Sequence, residues 1–269
     1  MDLIEIARLE EMRRARSAAA IADDCRWLRG GGAALRGKRG SWINYAVGLG
    51  LEGDVDGGEL GEVSRWWSAE GIEPRLEVTP FVSDATLRTI AEAGFAWRDS
   101  TSTLFREVLP GETTRAEVPG LELRVVDAGD AHQVRAYGDA VIRGFRGPGV
   151  EPTEIDHELS ARFVRLPSTV AIAAWMDGRI VGGGTLQVDG EVAALLGASV
   201  LPEYRRRGIQ QALIAARLRA CAERGVRVVT IGSKPGAATE RNVRRAGFQV
   251  AYTKMIMTKT VEGAVGAGG

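Results

Sequence analysis

The stretch from Ala193 to Gly225, AALLGASVLPEYRRRGIQQALIAARLRACAERG, constrains the fold more than any other part of the chain. Ala193 to Leu201 is an apolar run of small and β-branched residues stopped by Pro202, which reads as a buried strand. Glu203 to Gly208 is a basic turn that ends in glycine. Apolar residues at 209, 212, 213, 216 and 220 then follow the spacing of a helix face. The order is strand, loop, helix. Arg205, Arg206 and Arg207 precede Gly208 where free backbone N–H groups and the positive end of a helix dipole converge, a combination that suits phosphate. Between Leu201 and Thr230 there are seven arginines against two glutamates. A solvated, arginine-rich helix start is the plainer reading of the same residues, and on charge alone the two stay open. Two other phosphate loops are excluded for this segment, which has neither the Gly-Lys-Ser/Thr ending of a P-loop nor Gly-x-Gly-x-x-Gly.

At 269 residues and 45% hydrophobic, the chain has material for one large domain or two ordinary ones. Thirty-five basic residues balance thirty-five acidic ones, so any basic site is local and no nucleic-acid partner is expected. Cys25 and Cys221 are far apart, and His132 and His157 join no cysteine cluster, so neither a disulfide scaffold nor a metal site is expected. The opening MDLIEIARLEEMRRARSAAA reads as an amphipathic helix and lacks the apolar core of a secretory signal. No window reaches the roughly 20 apolar residues of a membrane span. The expectation is a cytoplasmic protein with no membrane partner, as a monomer or homodimer.

VLPGETTRAEVPGL, from Val108 to Leu121, carries two prolines and two glycines between strand-like segments and marks a boundary. The domains are placed at 1–115 and 120–260, with 261–269 as a flexible tail of small residues. The two parts share a pattern. In the second, a helix ending at Gly225 leads to VRVVTIG, then TERNVRRAGF, then a strand pair around VAYTKMIMTK. In the first, a helix from Glu59 to Glu70 ends at Gly71 and leads to RLEVTPF, DATLRTIAEAGF and STSTLFREV. Both contain Ala-Gly-Phe, where glycine closes a helix in the left-handed conformation and phenylalanine packs back under a sheet. Coincidence is the alternative, since helix, glycine, strand is common in α/β chains. Trp66 and Trp67 are expected to pack between helix and sheet.

The strand, loop and helix around Arg205, Arg206, Arg207, Gly208, Ile209 and Gln210 resemble the GNAT superfamily of acyl-CoA-dependent N-acetyltransferases, whose signature is Arg/Gln-x-x-Gly-x-Gly/Ala. Gln210 departs from the glycine or alanine usual there. The resemblance extends over GDAHQVRAYGDAVIRGF, TVAIAAWMDG, RIVGGGTLQVDG and the final Gly247-Phe248. It implies an α+β fold with a mixed sheet, built as two tandem GNAT-like domains of which the second keeps the cofactor loop. In the first, WINYAVGLGL resembles the central strand, but Glu52 to Gly58 is acidic and would repel a pyrophosphate.

The resemblance further implies that acetyl-CoA is the donor and an amine the acceptor. Ala198, Ser199 and Val200 would pair with the pantetheine arm, and Arg205 through Gln210, with Gln211, Ala212 and Asn242, would complete the cofactor site. The Ala198 backbone amide would face the developing oxyanion. Proton transfer is less well provided for. The family's glutamate base falls at Ala194 and its tyrosine acid at Val243, and neither moves a proton. Ser199 and Tyr252 are the substitutes, and Glu151, Glu154, Asp156, His157 and Glu158 would overlie the acceptor site, although a solvated helix start also explains them. The expected function is acetyl transfer to a primary amine of a small molecule or peptide. The alternative is a non-catalytic acyl-CoA sensor or interaction module.

Overall fold

A computed structural model describes residues 1–109, 111–112, 116–146 and 149–260. The tail expected at 261–269 lies outside the described residues. The chain divides into two compact units, Met1–Ser102 with the chain from Ala251 onward, and Thr103–Val250. No helix among the described residues is long and apolar enough to cross a membrane.

The first unit begins with helix α1 (Leu3–Ala19), followed by strands β1 (Asp24–Trp27), β2 (Ala33–Arg36) and β3 (Tyr45–Val47). Helix α2 (Gly57–Ser68), strand β4 (Arg75–Val78), helix α3 (Asp84–Glu92) and the start of strand β5 (Ala96–Glu107) come next. Most of the chain's last strand, numbered β11 (Gln249–Thr258), also belongs here, and pairs antiparallel with β4 from Met255↔Val78 to Thr258↔Arg75. Trp67 is fully buried and donates its indole N–H to Leu35 O at 2.9 Å, so it packs between helix and sheet as expected. Leu60, Leu76, Val78, Ile90 and Phe95 complete that core.

The second unit takes the end of β5, then β6 (Glu122–Val125), helices α4 (Ala131–Arg146) and α5 (Glu154–Val164), and strands β7 (Thr169–Met176), β8 (Arg179–Asp189) and β9 (Val192–Val200). Helix α6 (Ile209–Glu223), strand β10 (Val228–Ser233) and helix α7 (Ala238–Arg245) follow. The strand order is β5-β10-β9-β8-β7-β6. Asp177 and Gly178, both at positive φ, make the tight turn between β7 and β8 that their sequence predicts. Ala171 and Ala173 of β7 pack with Tyr137 of α4, while Ile172 and Ala174 pack with Ile209 and Leu213 of α6. Alternation along one strand therefore puts the two helices on opposite faces of the sheet.

Both Ala-Gly-Phe triplets form the stop read from the sequence. Gly94 and Gly247 have φ of 84°, and the amides of Phe95 and Phe248 reach back to Ile90 O and Val243 O. Two expectations differ. The segment around VAYTKMIMTK is one ten-residue strand, with no second strand beside it in sequence. The units also divide at Ser102 and Val250, outside the Pro/Gly-rich stretch. Leu104 lies in the core of the second unit, whereas Met255 and Met257 pack against the core of the first, and those burials outweigh the local turn signal.

Candidate functional site

Strands β9 and β10 run parallel and pair only from Val192↔Val228 to Ala194↔Thr230. Leu195 to Val200 continue without that partner. On the other side, β9 slips register against β8 between Gly183 and Thr185, and Gly197 takes φ 57° at the slip. The extra residue increases local bend and twist. The central strand therefore diverges from β10, and a cleft of about 790 Å³ lies beside its far end.

The mouth of this cleft is the start of α6. Arg206, a non-glycine residue, has φ 63°, and Gly208, the N-cap, has φ 85° with no side-chain cap. Among the described residues, the amides of Arg206 through Gln211 find no acceptor. Left-handed residues alternating with others turn successive N–H groups into one concavity, which attracts an anion together with the helix dipole. A Cβ at position 208 would stand 3.2 Å from Val118 Cγ2, besides being strained at that φ.

Ala198, Ser199, Val200, Arg205, Arg206, Gly208, Ile209, Gln210, Gln211 and Asn242 all line the cleft. Their side chains do different things. Arg205 donates to Val200 O at 3.2 Å and Gly144 O at 2.7 Å, tying the loop to the ends of β9 and α4. Arg206 makes no side-chain bond among the described residues and is exposed at the cleft. Arg207 lies outside the lining, stacked 5.0 Å above the Tyr204 ring with Nη1 3.7 Å from Met176 Sδ. Ala212 is buried and closes the first helical turn through its amide to Gly208 O. Asn242 donates to Gln210 Oε1, and Gln211 donates to Asn242 O, fixing α7 against α6.

Sequence reasoning missed Tyr204, Phe145, Thr239 and Arg245, which also line the cleft. Arg245 gives the mouth a second guanidinium, and RNVRRAGF contained the signal, since Arg245 lies one turn beyond Asn242 on the same helix face.

The residues singled out for proton transfer are not poised for it. Ala194 and Val243 are completely buried. The Ser199 hydroxyl lies by the cleft but donates to Val141 O at 2.6 Å. Tyr252 is counted with the first unit and is absent from the cleft lining, and its phenol donates to Glu11 Oε1 at 2.7 Å. As an acid at this cleft it is therefore set aside. The acidic segment is likewise committed to arginines. Glu151 pairs with Arg143 at 2.5 Å, Glu154 with Arg135 at 3.2 Å and Asp156 with Arg146 at 2.7 Å. Burial pushes the Asp156 carboxyl up, but the Thr153 hydroxyl and amide and Arg146 outweigh it and hold the group below its ordinary value. His157 Nε2 lies 3.4 Å from Asp139 Oδ1.

The first unit shows the opposite arrangement at its matching helix. Asp56 caps α2 and accepts from the Glu59 amide at 2.7 Å, while Asp54 accepts from Ser83 and Thr86. Asp56 thus takes a backbone donor at the start of α2 that an anion would need, and Asp54 adds a second negative charge close by in sequence. Beneath them, Leu28, Ala46, Leu49 and Leu60 close around a void of about 10 Å³.

A parallel pair that diverges beside an uncapped helix N-terminus has the geometry to receive an extended ligand with an anionic end. Residues 139–248 match the acetyltransferase (GNAT) family. Among solved structures, the fold is similar to a GCN5-related N-acetyltransferase from Kribbella flavida, at 19% identity over 97% of this chain and 96% of that one, TM-score 0.67. It is also similar to a tandem GNAT protein from the clavulanic acid biosynthesis pathway, at 14% identity over 84% and 78%, TM-score 0.62. A GCN5-related N-acetyltransferase from Sphaerobacter thermophilus aligns at 20% identity over 80% and 71%, TM-score 0.58. No curated protein matches in sequence. The fold class expected from the sequence, mixed α and β with tandem GNAT-like relatives, stands.

Proposed function

We propose that the second unit binds acetyl-CoA and transfers its acetyl group to a primary amine of a small molecule or peptide. The observation that carries this reading is the cleft lined by the end of β9, the end of α4 and the starts of α6 and α7, into which the free amides of Arg206 to Gln211 open. The pyrophosphate would lie on those amides with Arg206 and Arg245 beside it, and the pantetheine arm would add to the unpaired edge of β9. Ala198 would present its amide to the oxyanion as the amine attacks. The tetrahedral adduct then breaks its C–S bond and expels the coenzyme A thiolate, and the proton given up by the amine passes through water to that thiolate, since neither Ala194 nor Val243 moves a proton. The first unit, with Asp54 and Asp56 in place of a phosphate loop, would serve as a structural partner that binds no coenzyme.

A second reading, a non-catalytic acyl-CoA sensor, is favoured by the burial of Ala194 and Val243 in apolar surroundings. Thiol release from acetyl-CoA across a panel of primary amines separates the two. Repeated turnover on any amine supports the transferase, and tight binding with no turnover supports the sensor.

A further inference from the structure

Arg217 of α6 is a charged side chain with no exposure at all. Its Nε donates to Leu213 O at 2.9 Å within its own helix, and its Nη1 reaches Thr185 O at 3.2 Å and Leu196 O at 3.4 Å. Nη2 has no partner among the described residues. Among the described residues no carboxylate stands near it, and the groups that act on its charge are Tyr137 of α4 and Cys221 of its own helix. Burial brings the guanidinium down to about 10, so it remains protonated at neutral pH. An unpaired buried cation destabilises a fold. The residue therefore stands where the chain would be more stable without its charge.

That place is the register slip of β9. A slipped ladder leaves carbonyls without strand partners, and Leu196 O is held there by Arg217 and by the Thr185 hydroxyl at 3.0 Å. Gly184 makes the room. A Cβ at 184 would lie 2.9 Å from Arg217 Cζ and 3.2 Å from Ala198 Cβ. On the other face, a Cβ at Gly183 would meet the ring of Tyr137, whose buried hydroxyl is also unpartnered. Gly184 thus lets the guanidinium approach the strand beside Ala198.

Resting on the acyl-transfer reading above, we infer that Arg217 is a positioning residue for acyl transfer, pinning the β8–β9 slip and setting a fixed positive charge behind the acyl carbonyl at Ala198. Negative charge that develops on the acyl oxygen is stabilised by a cation in a low-dielectric interior, and the cation needs no reorganisation to act. This supplies an electrostatic contribution at a site whose sequence lacks the usual proton-transfer pair.

The test uses [1-13C]acetyl-CoA bound to the full chain, read by its carbonyl resonance, with affinity measured in parallel. Wild type should displace the resonance downfield from that of free acetyl-CoA. Arg217→Met should remove most of the displacement while affinity changes by less than about threefold, since the phosphate end is held elsewhere. Arg217→Lys should restore part of it. Gly184→Ala keeps the arginine but crowds it, and should reduce the displacement even if Arg217→Met does not fold. A carbonyl resonance unchanged in folded Arg217→Met or in Gly184→Ala overturns the inference. Should wild type fail to bind acetyl-CoA, the transferase reading falls, and hydrogen exchange of residues 195–200 in the free chain then judges the pin. Faster exchange there in Arg217→Lys than in wild type supports it, and equal exchange overturns it.

Discussion

The phenol of Tyr252 donates a 2.7 Å hydrogen bond to Glu11, 241 residues earlier in the chain, and both side chains are buried. Lys254, on the same strand, reaches Glu77 at 2.8 Å and Glu11 at 3.2 Å. The last strand is thus fastened to α1 and β4 by a buried polar cluster in which each group depends on its neighbours. Tyr252→Phe should cost about 1–3 kcal/mol, seen as a lower urea midpoint with an unchanged m-value. Its acetyl-CoA affinity should match that of wild type.

Burial pushes the Glu11 carboxyl up to about 7, against the opposing pull of Arg14 and Tyr252. A carboxyl raised in the folded state binds a proton that the unfolded chain releases, so its contribution is complete below about pH 4.5 and is lost as pH rises to about 7. Urea unfolding at pH 5 and pH 8 should show wild type losing roughly 3 kcal/mol relative to Glu11→Gln across that window. Parallel pH profiles for the two proteins would remove Glu11 as the source.

Gly208 caps α6 at φ 85° with open backbone donors around it. Gly208→Val forces a β-branched residue into that conformation and should cost about 1–3 kcal/mol. Circular dichroism should still show a folded chain, and acetyl-CoA titration should show binding lost. Unchanged affinity in the folded variant would move the phosphate site away from this loop.

Cys221 is fully buried on α6, and burial pushes its thiol up to about 12 despite Arg217 and Arg224. The Cys25 thiol is raised by burial and by Asp24, but it lies in a partly exposed strand. The thiolate is the reactive form. A disulfide reagent at pH 8 should therefore modify Cys25 first and Cys221 only in denaturant, giving one equivalent of released chromophore from the native chain and two from the unfolded one.

The fold was legible where a local pattern coincided with burial. Pro202 after a small-residue run, Gly208 before a helix face, and two Ala-Gly-Phe stops each act through backbone geometry that neighbouring residues specify. The division of the chain was not legible, because Leu104 and Met255 are ordinary strand residues and nothing in their surroundings says which core receives them. At the site, the loop was readable but its division of labour was not. Arg205, Arg206 and Arg207 are identical in sequence, yet one ties backbone, one faces the cleft and one stacks on Tyr204. The partner of the Tyr252 phenol is not legible until Glu11, far away in sequence, is brought against it. Arg217 carried no signal, since an arginine at that spacing on a helix reads as solvated.

The central claim is that the free amides at the start of α6, with Arg206 and Arg245, hold the anionic end of acetyl-CoA. Calorimetric titration of wild type, Arg207→Glu and the double variant Arg206→Glu, Arg245→Glu with acetyl-CoA tests it most directly. Wild type should bind, Arg207→Glu should lose less than about tenfold, and the double variant should lose at least about a hundredfold, with wild-type affinity falling as salt rises. A wild-type chain that does not bind, or a double variant that binds as wild type does, would contradict the account.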